Sequence, residues 1–187
     1  MISTRRLIFS GWLAMTSALV TIPWLILSFF LDKTELWVKV AEGALLVGST
    51  ALFVYTFLTL RGLLHRYAFS VTDRPIALLI QTNIVTTTVS LLALAVPSIA
   101  DGAGVVGIGL VVAIGVFHAL FGLRLLQLTD DLGGLHRPYC YLNMITGICL
   151  ASLVLLPVGI LSSAVADVML GTIFFRAAGL TSQPAPR

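Results

Sequence analysis

The chain has 187 residues, is 58% hydrophobic and 10% charged, and carries a formal charge of +3. Ordinary soluble domains carry about 25% charge, and a soluble fold of this size still exposes about a third of its unfolded surface. The composition therefore excludes an ordinary soluble domain and points to a lipid bilayer as solvent, while so small a positive charge gives no reason to expect nucleic acid as a partner.

The first apolar run, Leu7–Phe30, follows Arg5 and Arg6. It outlasts the apolar core of a signal peptide, about 7–15 residues, and Phe29-Phe30-Leu31-Asp32 is no small-x-small cleavage site. A retained membrane helix is expected over 7–30. After a short polar link, a second helix is expected over 36–64. Residues 65–74 form the longest polar connection. Pro75 suits a first helical turn, where its missing N–H costs nothing, so a third helix is expected over 75–97. A fourth covers 102–126, followed by the polar connection around Asp130-Asp131 and Gly133-Gly134. The stretch from Tyr139 to Leu180 is too long for one crossing at about 1.5 Å per residue. Pro157, Gly159, Ser162 and Ser163 lie in its middle and mark a turn, giving helices over 139–156 and 164–180. Residues 181–187 are expected to be a disordered tail. The expected fold is an all-α integral membrane protein: one six-helix transmembrane domain over residues 1–180.

Orientation follows from the basic residues, which concentrate on the cytoplasmic side of membrane proteins. With the N-terminus inside, nine of the 11 Lys and Arg fall in inner segments, and only Lys33 and Lys39 fall outside. Both termini are then cytoplasmic and the helix number is even. A bacterial inner membrane is the expected location, with anionic lipid at the inner loops. Cys140 and Cys149, nine positions apart in one helix, would face different sides and cannot bridge.

An internal repeat accompanies the six helices. Val40-Ala41-Glu42-Gly43-Ala44 resembles Ile99-Ala100-Asp101-Gly102-Ala103, with a poorer copy at Val165-Ala166-Asp167. Asn83-x-x-Thr86 leads to Pro97 as Asn143-x-x-Thr146 leads to Pro157, each Asn fourteen positions before its Pro. The unit is a helical hairpin used two or three times in the same direction.

Polar side chains in a bilayer need a reason, because a charge at its centre costs about 2.5–3.5 kcal/mol. Glu42, Asp101 and Asp167 are expected at helix starts near the outer face, where unpaired N–H groups and the helix dipole favour a carboxylate. Asp167 is the exception to watch: placed deeper, it would need a partner or a proton. His118 is the one histidine inside a span. A bis-imidazole haem would need a second, so no cofactor is expected. In the third helix Asn83, Thr86, Thr87 and Ser90 share a face by their i, i+3, i+4 and i+7 spacing, and Asn143 and Thr146 give a thinner version in the fifth. Asn83, Thr86, Thr87, His118, Asn143 and Thr146 form the candidate polar pocket, or else serve as hydrogen bonds between helices. The glycines crowding the fourth helix, from Gly102 to Gly122, permit close helix approach.

No HExxH, CxxC, GxSxG or P-loop pattern occurs, so neither a catalytic group nor a metal site is assigned. The leading expectation is an accessory or scaffold subunit, beside a membrane-protein partner or a second copy. A small transporter or channel through the polar faces of the third and fifth helices is the alternative, and a membrane-embedded enzyme the third class.

Overall fold

The computed structural model describes residues 3–30 and 36–182. Six helices account for nearly all of them: α1 (Thr4–Phe30), α2 (Leu36–Arg66), α3 (Asp73–Ala95), α4 (Ala100–Leu125), α5 (His136–Ser152) and α6 (Leu156–Ser182). There is no strand among the described residues. Five of the helices are long and apolar enough to cross a membrane, and α5, with 17 residues, is not among them.

Local chemistry sets the helix ends. Ser3 precedes α1, and its Oγ accepts the N–H of Arg6 at 3.3 Å, an N-terminal cap. At the end of α2 Ala68 takes a left-handed conformation, φ 52°. The N–H of Phe69 then reaches back to the Leu64 carbonyl at 3.1 Å, which satisfies a carbonyl the helix leaves open. Asp73 and Asp101 lie in the first turns of α3 and α4, where the dipole favours them. Arg61 and His65 of α2 both reach the Asp73 carboxylate, at 2.9 and 2.8 Å, and so clamp the α2–α3 connection. Across the surface, burial and then the Asp130 carboxylate raise the Tyr67 phenol above its ordinary pKa.

The α5–α6 boundary differs from the sequence expectation. The turn falls on Leu153–Leu155, with Leu153 at φ 58°, and α6 starts at Leu156 rather than near 164. Pro157 is the second residue of α6, where its lack of an N–H is harmless. Gly159 is no turn residue either. It is buried against α5, and a Cβ there would stand 3.1 Å from the Cβ of Cys149. Ser162 lies inside α6 and hydrogen-bonds to Thr146 of α5 at 2.8 Å. At the other end α6 continues to Ser182, so Thr181 and Ser182 are helical rather than part of a tail. Residues 183–187 of the expected tail lie outside the described residues.

The helices form a closed ring. Each packs on its sequence neighbours, and α6 returns to pack on α1. Contact between α1 and α6 is close because Gly11 and Gly171 meet: a Cβ on Gly171 would lie 2.9 Å from the Gly11 carbonyl oxygen. Between α4 and α5 the same holds for Gly115, where a Cβ would stand 2.6 Å from the Gly147 carbonyl oxygen. The glycines of α4 thus divide. Gly115 and Gly122 let α5 approach, whereas Gly102, Gly104, Gly107 and Gly109 have open space where a Cβ would stand.

The apolar core fills one end of this ring. Leu60, Leu64, Ile76, Phe121, Leu125 and Phe174 are wholly buried in one cluster. They come from the last turns of α2, α4 and α6 and the first turns of α3, the end where the basic connections lie. Above the cluster the ring interior turns polar.

Candidate functional site

Asp167 is the twelfth residue of α6. At about 1.5 Å per residue it sits about 16 Å along the helix, near its middle and well beyond the first turn, so the capping account does not hold for it. Glu42, seventh in α2, also lies past its first turn. Asp101 alone of the three acids occupies one.

The Asp167 side chain points into the ring. Ser17 of α1 donates its hydroxyl to Asp167 Oδ2 at 2.8 Å. Among the described residues no basic side chain forms an ion pair with it. Both residues line a partly open cavity of about 250 Å³ between α1, α2, α3 and α6. The other walls are hydroxyl-rich. Helix α2 contributes Ser49 and Thr50, and α3 contributes Asn83, Thr86 and Thr87. The hydroxyls of Thr50 and Thr87 hydrogen-bond to each other across the α2–α3 contact. Asn83 Oδ1 is buried with no hydrogen-bond partner among the described residues.

A second, smaller void of about 10 Å³ adjoins it, bordered by His118, Asn143 and Thr146. That is the size of a single water site. Phe53, Ser163 and Asp167 border both spaces. The six residues singled out from the sequence therefore fall into two sets of three, one on each chamber, with Asp167 between them.

The second set is tied inward. Asn143 donates from Nδ2 to the Tyr139 carbonyl of its own helix at 2.8 Å. His118 Nδ1 lies 3.1 Å from the Ile114 carbonyl. A carbonyl only accepts, so Nδ1 carries the proton and Nε2 of the neutral ring is an acceptor. Below both chambers Phe53 stacks on Phe57, ring centroids 4.3 Å apart, and Phe57 packs on Phe121 at 5.5 Å. This aromatic floor leads directly into the apolar core and separates the polar space from the basic end of the bundle.

The pocket expected from the sequence lacked Ser17, Ser49, Thr50 and Ser163, and it left out Asp167, which was singled out among the acids but not placed with the pocket. Asp167 did carry a signal, as an acid in an apolar run. The four hydroxyl residues carried none, because isolated Ser and Thr are common in membrane helices as packing residues.

The arrangement offers a half-buried carboxylate, several hydroxyls and an amide around a space for a small solute. Among the described residues no three His, Cys, Asp or Glu side chains gather as metal ligands. Asp130 is engaged locally, its Oδ1 accepting the Leu132 N–H at 2.9 Å, an Asx turn. Searches of family models, of curated proteins and of solved structures return no match to this chain.

Proposed function

We propose that this chain is a small transporter or channel of a bacterial inner membrane, crossing it six times, with both termini in the cytoplasm. A small polar solute enters the cavity between α1, α2, α3 and α6. The observation carrying this reading is Asp167: a carboxylate at mid-helix, facing a cavity lined by hydroxyl side chains and held by a single hydroxyl. A bundle that needed only to pack would fill such a position with an apolar side chain, because an intramembrane charge costs about 2.5–3.5 kcal/mol. Ionisable residues that persist there mark solute and proton pathways.

The same proposal takes the ring as three parallel hairpins, α1–α2, α3–α4 and α5–α6. Support comes from Asn83 and Asn143, each fourteen positions before a proline, which border the two adjoining chambers. Exposed Arg66, Arg74, Arg124 and Arg137 share the basic end, where anionic lipid headgroups would meet them.

Proteoliposomes test passage directly. Loaded separately with methylammonium, glycerol and acetate, they are expected to release one of the three faster than protein-free vesicles. Asn83→Leu combined with Asn143→Leu is expected to abolish that release at unchanged protein level. Release no faster than from protein-free vesicles, for all three, defeats the proposal.

One observation favours a second reading, that of an accessory subunit. The outer half of α4 presents Gly102, Gly104, Gly107 and Gly109 with nothing against them, a surface on which a helix of a partner or of a second copy would pack closely. Purification in mild detergent would then bring down a stoichiometric partner, lost on Gly104→Leu. A protein that purifies alone and conducts a solute rules this reading out.

A further inference from the structure

We propose that the cavity at Asp167 binds a small ammonium cation, a monovalent ion bringing its own N–H donors, given that a solute enters there as proposed above. The walls explain the preference. A hydroxyl has one proton and two lone pairs. Ser17 commits its proton to Asp167 at 2.8 Å. Thr21 commits its proton to the Ser17 carbonyl at 3.2 Å, Ser49 to the Leu46 carbonyl at 3.1 Å, and Thr86 to the Thr82 carbonyl at 2.8 Å. These four oxygens have only lone pairs left to offer. With the Asp167 carboxylate, itself acceptor-only when ionised, they make a surface that accepts more than it donates, the Asn83 amide, the Ser163 hydroxyl and one proton of the Thr50–Thr87 pair being its donors. Its complement is a cation that donates hydrogen bonds.

Two further features narrow the class. Phe53 lines the same cavity, one face of its ring stacked on Phe57, and the aromatic surface left over attracts a cation, ammonium groups included. The volume of about 250 Å³ lies just under the usual range for ligand pockets, about 300–1,000 Å³, so the occupant is a small solute rather than a drug-sized ligand. Other cations fit less well. Calcium sites draw on several oxygen ligands, carboxylates prominent among them, and this cavity holds one carboxylate. Sodium sites in transporters use carbonyls freed by unwound helices, yet every lining position here is helical, with its carbonyl engaged. An anion would meet the carboxylate directly.

The test uses full-length protein in detergent with Ser163→Cys as a reporter, since Ser163 borders both chambers. The native cysteines are buried, and their background is subtracted with the unsubstituted protein. Modification by a small thiol reagent is followed in methylammonium chloride, sodium chloride, sodium acetate or acetamide, ionic strength held equal with choline chloride. Methylammonium is expected to slow modification saturably, where sodium, acetate and acetamide do not. Adding Asp167→Asn is expected to raise the protecting concentration at least tenfold, and Phe53→Leu to raise it several-fold. Protection by acetate or acetamide in place of methylammonium overturns the cation assignment and leaves the solute cavity standing. Equal protection by sodium, or none by any solute, also overturns it. A Ser163→Cys protein that never reacts overturns the accessible cavity itself, and the transport reading with it. If Asp167→Asn fails to fold, the comparison among solutes on the Asp167-containing protein still decides.

Discussion

Ser17 and Asp167 are 150 positions apart in the chain, and their side chains meet at 2.8 Å. The first and last helices are joined there by a hydrogen bond inside the ring, at the one mid-helix carboxylate that faces the cavity. Ring closure and the polar site are therefore one arrangement, and a change at either residue acts on both.

Ser17→Ala removes the donor and leaves the carboxylate without its hydrogen bond. Bonds to charged groups are worth about 1.5–3 kcal/mol in proteins, and interhelical bonds in membranes about 0.6–1.7. A stability loss of about 1–2 kcal/mol is expected, read from reversible unfolding in mixed micelles. In a double-mutant cycle with Asp167→Asn the losses are expected not to add, with a coupling near 1 kcal/mol. Strict additivity would show that the bond does not form.

The two groups of glycines in α4 predict opposite outcomes. Gly115→Ala places a methyl against the Gly147 carbonyl and the Ala151 backbone, and forcing α4 and α5 apart is expected to cost about 1–3 kcal/mol. Gly104→Ala and Gly109→Ala meet nothing. They are expected to leave stability unchanged or to raise it by up to about 1 kcal/mol through helix propensity. Thermal unfolding of the three variants side by side checks this.

Phe121 is wholly buried where the aromatic floor meets the core. Phe121→Ala is expected to cost about 3–5 kcal/mol and to open the floor between the cavity and the basic end. In proteoliposomes, solute release is expected to become faster and less selective. A variant that is destabilised but equally tight would place the barrier elsewhere.

Both termini and the α2–α3 connection are expected on one side of the membrane. A reporter after Arg187, a reporter before Thr4 and a thiol label at Ser70→Cys should all respond from the cytoplasm. Ser70 is exposed in that connection. A split result between the two termini would break the even count of crossings.

The helices were legible in the sequence because a backbone in lipid must bond to itself, which takes a continuous apolar run for each crossing. The α5–α6 turn was not, because Pro and Gly have two meanings. Pro157 opens a helix as readily as it ends one, and Gly159 serves a close contact. The polar face of α3 was also legible, since Asn83, Thr86 and Thr87 follow the helical period.

By itself, then, the sequence determined an apolar all-helical chain and the polar stripe of α3, both set by local periodicity and composition. Only the tertiary structure decided what that stripe faces. The return of α6 onto α1 brings Ser17 and Asp167 opposite Asn83 and Thr87, while His118 and Asn143 border a second, much smaller chamber beside it. Such pairings depend on the rotation of each helix about its axis. That rotation is fixed by where small residues let backbones meet, at Gly11 with Gly171 and Gly115 with Gly147, and no spacing within a single helix encodes it.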